Sequence, residues 1–134
     1  MTVVALAGCG AGKTAAPLPQ TVIGTLPTKA PAKAATGGDP AAGKQLFVAQ
    51  GCGACHTFKP AGTNGKIGPD LDKLAADAQK ANQGTLAAYV TQSIADPNAY
   101  VVPGFQPGVM PKYSDTLKPK QIADLVAYLT QSSG

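Results

Sequence analysis

The chain has 134 residues, a formal net charge of +4, three Cys, no Trp and an aromatic content of 5%. That length suits one small domain with an extension; no apolar run approaches a membrane-spanning helix, and a chain without Arg or a basic stripe interleaved with aromatics is a poor nucleic-acid partner. Charge and aromatics are unevenly placed: Lys13, Lys29 and Lys33 precede Asp39 with no acid among them, whereas every Phe and Tyr follows residue 40, so only residues 39–134 can build a core.

Residues 1–9 end in Leu6-Ala7-Gly8-Cys9. This resembles the bacterial lipobox, in which a cysteine behind a small-residue cleavage site receives lipid. The apolar stretch Thr2–Ala7 is shorter than the core of a secretory signal, so the segment is expected to be the end of a longer one. Cys9, otherwise an odd cysteine, would anchor an extracytoplasmic protein at the outer face of the cytoplasmic membrane or in the periplasm. The plainer alternative is a low-complexity start with no anchoring role. Ala7 to Thr14 also approaches the phosphate-binding pattern G-x-x-x-x-G-K-[ST], but Pro17 and Pro19 break the helix that must follow it.

Residues 10–38 are rich in Ala, Pro, Thr, Gly and Lys, without aromatics or periodicity, and are expected to form a disordered linker. Such a linker would span roughly 30 Å as a flexible coil and up to about 90 Å fully extended.

Asp39-Pro40 pairs an N-cap residue with a proline at the first helical position, predicting a helix to about Gln50 that stops at Gly51. Gly43 and Phe47 fall on one face, with Leu46 beside them. Immediately afterwards Cys52-Gly53-Ala54-Cys55-His56 spells C-x-x-C-H, the attachment sequence of a c-type haem. Two thiols so spaced can add to neighbouring vinyl groups of the porphyrin, and the next residue, His56, is then placed to ligate the iron. A structural zinc site would need about four ligands and lacks them. A thioredoxin-type C-x-x-C would follow a strand in a βαβ unit, and none surrounds Cys52.

A loop is expected from Thr57 to Gly65, leading to Ile67-Gly68-Pro69-Asp70-Leu71. The fixed φ of Pro69 gives its carbonyl a defined direction, from which it can accept a hydrogen bond from the far nitrogen of His56 and fix the tautomer; an ordinary turn proline is the alternative. Thr85 caps a predicted helix to about Ala95, with Leu86, Tyr89, Val90, Ser93 and Ile94 near one face. Asp96-Pro97-Asn98 ends it. The run from Val102 to Pro111 must be irregular, because it holds Pro103, Pro107, Pro111, Gly104 and Gly108. Within it stands Met110, ordinarily a core-filling residue. A six-coordinate haem needs a second axial ligand, however, and the chain has no second His and no other Met after Met1. The last predicted helix runs from Lys120 to about Gln131, with Ile122, Leu125, Val126 and Leu129 in helical register and Pro119 in its first turn.

With these motifs in place, residues 39 to about 131 resemble a class I monohaem cytochrome c of the small bacterial kind. The resemblance implies an all-α fold of three to five helices, without a sheet, around one covalent haem c and its iron. It implies Gly68-Pro69 and Leu71 behind the proximal ligand, Met110-Pro111 as the distal ligand pair, and Gly43 and Phe47 crossing Tyr128 on the last helix. Lys118 departs from the Ser or Thr usual before that helix, which should leave its start less well closed. The implied activity is one-electron carriage by a monomer, not enzyme catalysis, between a respiratory donor complex and a terminal oxidase or reductase. A haem enzyme or gas sensor with an open distal site, or a dedicated haem subunit of a larger complex, is the rival reading.

Overall fold

Asp39 opens the folded chain as its chemistry requires. In the computed structural model, which describes residues 37–132, its carboxylate accepts from the Ala41 N–H at 2.8 Å, and helix α1 runs Pro40–Ala49 with the proline in its first turn. The expectations for residues 1–36, Cys9 included, lie outside the described residues. Gly51 has φ +67, a left-handed turn that glycine makes without cost. The chain thereby passes directly into α2, Cys52–Cys55, a single turn.

The segment after His56 corrects two expectations, an uninterrupted loop and the absence of any sheet. Thr57–Phe58 (β1) and Thr63–Asn64 (β2) pair antiparallel across a 3₁₀ turn at Lys59–Ala61, with Thr57 opposite Asn64 and Phe58 opposite Thr63. Side-chain hydrogen bonds cause the closure: the Thr63 hydroxyl donates to the His56 carbonyl at 2.9 Å, and the Thr57 hydroxyl to the Gly65 carbonyl at 2.8 Å. The fold remains essentially helical around this small ladder.

A 3₁₀ turn at Leu71–Lys73 runs into α3, Leu74–Ala81, which ends at Asn82 in the left-handed region. Helix α4, Leu86–Ala95, begins as expected, the Thr85 hydroxyl accepting from the Ala88 N–H at 3.2 Å. Helix α5, Pro119–Gln131, buries Ile122, Leu125, Val126 and Leu129 on its core face. A lysine side chain has no acceptor, so only half of a capping box forms before it, the Gln121 side chain accepting from the Lys118 N–H at 2.9 Å.

Helix α1 crosses α5 where Gly43 removes a side chain. A Cβ there would run into the Asp124 carbonyl and lie 2.8 Å from the Tyr128 Cβ. That close approach lets three rings meet, Phe47–Phe58 at 5.6 Å, Phe47–Tyr128 at 5.9 Å and Phe58–Tyr128 at 5.5 Å between centroids. Each such pair adds about 0.5–1.5 kcal/mol beyond its buried area. The crossing also has a polar tie: buried Asp124 accepts from the Asp39 N–H at 2.7 Å and from Lys120 at 2.9 Å. The Asp39 amide, followed by Lys120, holds the Asp124 carboxyl below its ordinary pKa.

Candidate functional site

Helix α2, the Gly68-Pro69 loop behind it, α3, α4, the Pro/Gly loop and α5 together line an apolar cavity. All six residues expected at the site, Cys52, Cys55, His56, Pro69, Leu71 and Met110, line it. Leu74, Tyr89, Ile94, Leu125 and Leu129 supply much of the apolar wall. On α5, Leu125 and Leu129 stand four residues apart and so present the same face to it.

His56 is the most constrained of these groups. The Cys52 carbonyl accepts from its backbone N–H at 3.0 Å, closing the α2 turn, and its buried imidazole bonds through Nδ1 to the Pro69 carbonyl at 2.7 Å. A carbonyl can only accept, so Nδ1 carries the hydrogen and Nε2 keeps its lone pair. Gly68 lies flat against the ring: a Cβ there would stand 2.8 Å from Nδ1. The Gly68 N–H donates to the Cys55 carbonyl at 2.8 Å, which locks the Gly68-Pro69 loop to the attachment turn. Burial pushes the imidazole pKa down, outweighing the opposite effect of the Pro69 bond. The ring is therefore neutral at pH 7, the form that ligates a metal.

Cys52 and Cys55 are both half-buried on the one turn of α2 and are not paired in a disulfide. Burial raises the Cys52 thiol above its ordinary pKa. Two cysteines on one turn, a neutral imidazole with an available lone pair and an apolar wall fit a covalently held haem. Among the described residues, no cluster of three or more His, Cys, Asp or Glu offers a different metal site.

Met110 is half-buried in the irregular loop, between exposed Val109 and exposed Pro111. The cavity also collects residues that the sequence did not assign to the site. Tyr113 lines it from a 3₁₀ turn, its hydroxyl pKa raised by burial. Tyr100 stacks edge-on against Tyr89 at 6.0 Å. Asn98, in the Asp-Pro-Asn stop of α4, lines the same cavity and accepts from the Gly108 N–H at 2.7 Å. No local pattern places these three in the cavity, because each acquires its position there only when the loop folds back.

Comparison with known proteins bears on this geometry. A family model described as "Cytochrome c" matches residues 40–133. A "Cytochrome c homolog" of Bradyrhizobium diazoefficiens is 32% identical over 99 residues, which is 67% of this chain and 53% of that protein; the chain thus spans about half of that relative's length. A "Cytochrome c" of Guizotia abyssinica is 30% identical over 112 residues, covering 74% of this chain and 95% of that protein. With the C-x-x-C-H turn, the His56–Pro69 bond and the α1–α5 crossing all present, the chain belongs to the cytochrome c family, whose members bind a covalent haem c with its iron and carry electrons on it.

Proposed function

We propose that this chain is a one-electron carrier whose haem is held by thioether bonds to Cys52 and Cys55 and ligated by His56 and Met110. The observation that carries this reading is that His56, with its Nε2 lone pair free, and Met110 line one apolar cavity. When bound, the haem iron supplies reversible one-electron chemistry; a His/Met ligand pair raises its potential. The protein's own residues keep the imidazole neutral and oriented, exclude water with an apolar wall, and hold a thioether that needs no rearrangement when the charge changes.

The donor and acceptor fitting such a centre are respiratory proteins, a quinol-oxidising complex on one side and a terminal oxidase or reductase on the other. The chain acts as a monomer outside the cytoplasm, tethered through lipid on Cys9 behind Leu6-Ala7-Gly8. More than one acyl chain would make that anchoring stable. Mass spectrometry of membrane-extracted protein checks the tether, and an unmodified Cys9 thiol there overturns it.

Ligation is tested with carbon monoxide. The ferrous protein should take up the gas poorly at neutral pH, while Met110→Ala should bind it readily and show a lower potential. Avid uptake by the unsubstituted protein would replace the carrier reading with an open-site enzyme or sensor.

A further inference from the structure

Among the described residues, the loop that carries Met110 has few hydrogen bonds across it, although Tyr100 packs on Tyr89 near its start. Between Asp96 and Pro111 it has no helix or strand, and Pro97, Pro103, Pro107 and Pro111 donate no backbone hydrogen bond. Its backbone turns, Ala99 to Asp96 and Phe105 to Val102, each span three residues and tie nothing across the loop. One side chain does cross it. The Asn98 oxygen accepts from the Gly108 N–H at 2.7 Å, ten residues on.

Each end of that bond is suited to placing a thioether. Asn98 follows buried Pro97, which packs directly after α4, so its amide is anchored to the core although the side chain is itself exposed. Gly108 has φ +77, a conformation that reverses the chain two residues before Met110. Fixing the Gly108 N–H therefore fixes the direction from which Val109-Met110 enters the cavity. We propose that Asn98 is a positioning residue for the distal ligand, its side-chain amide pinning Gly108 and so holding Met110 against the haem iron.

The inference rests on Met110 being that ligand, and the experiment separates the two. The probe is imidazole, titrated by absorbance into the ferric, haem-loaded full chain. It competes for the sixth position, so its apparent affinity reports how often the thioether leaves. Asn98→Ala should bind imidazole about three- to tenfold more tightly than the unsubstituted protein, the equilibrium counterpart of one lost hydrogen bond. Asn98→Asp keeps an acceptor oxygen and should return most of the difference. Thr85→Ala, which removes the α4 cap elsewhere, should leave imidazole affinity unchanged even though it lowers stability. Equal affinity in Asn98→Ala and the unsubstituted protein, with a large gain in Met110→Ala, overturns the role of Asn98 alone. The same holds if Thr85→Ala gains as much as Asn98→Ala, because the effect is then general loosening. If Met110→Ala itself gains nothing, the ligand assignment fails and the role of Asn98 falls with it.

Discussion

The two sides of the cavity are held by different means. On the His56 side, several short contacts converge on one ring: Gly68 is flat on the imidazole, its N–H donates to the Cys55 carbonyl, the Pro69 carbonyl accepts from Nδ1, and the Thr63 hydroxyl donates to the His56 carbonyl. On the Met110 side an irregular loop with Gly104 and Gly108 at positive φ is exposed along much of its length, and a single amide spans it. The difference follows from what each side must do. A ligand next to a covalent attachment can be over-determined locally, whereas Met110, the proposed second ligand, comes from far along the chain and must be located by the fold.

The largest effect should come from filling the tight side. A methyl at Gly68 has no room beside the imidazole ring, and overpacking against a fixed group costs about 2–3 kcal/mol. Gly68→Ala should lower the urea midpoint accordingly and shift the reduction potential, because the His56 ring must tilt. The matched change on the loose side is Gly104→Ala. Nothing lies within 4 Å of a Cβ there, and only the strain of φ +96 remains, worth about 1 kcal/mol. Equal losses in the two variants would erase the contrast between the sides.

The same contrast explains what could be read from the chain alone. The attachment turn, the Asp39-Pro40 start, the Thr85 cap and the α5 stripe are local patterns, and the structure reproduces each within a residue or so. The crossing of Gly43 and Phe47 with Tyr128 came through resemblance, and the ring distances agree with it. Other features had no local signature. The β1–β2 ladder pairs only two residues a side, too short for any alternation, and is closed by Thr57 and Thr63 hydroxyls whose partners are set by the His56 turn. Helix α3 was not anticipated because Leu74 and Ala78 are the buried residues it contributes to the core, among Ala, Asp, Gln and Lys. The tie between Asp39 and Asp124 joins residues 85 positions apart, and neither end advertises the other.

That tie gives the smallest of these effects and the one that depends on pH. The frame behind His56 is pinned at the α1–α5 crossing by a carboxylate, Asp124, while the distal loop is pinned by an amide, which does not titrate. The Asp39 N–H and then Lys120 favour the ionised form of Asp124, so its folded pKa lies below the ordinary carboxylate value of about 3.9. As pH falls, the unfolded chain takes up the proton first. The stabilisation is therefore complete above the ordinary value and is lost as pH falls through the lower, folded one. The measurement is a difference that isolates Asp124: unfolding free energy in urea, against pH, for the unsubstituted protein and for Asp124→Asn. The variant should be the less stable at pH 7, since a neutral amide makes weaker bonds to Lys120 and the Asp39 N–H. The gap should narrow as Asp124 itself becomes protonated, which makes the two side chains nearly equivalent. Imidazole affinity, reporting the distal loop, should be the same in both proteins across that range. A gap that stays constant down to pH 2 would mean that Asp124 contributes shape rather than charge, and a matching change in imidazole affinity would mean that the two sides are not held independently.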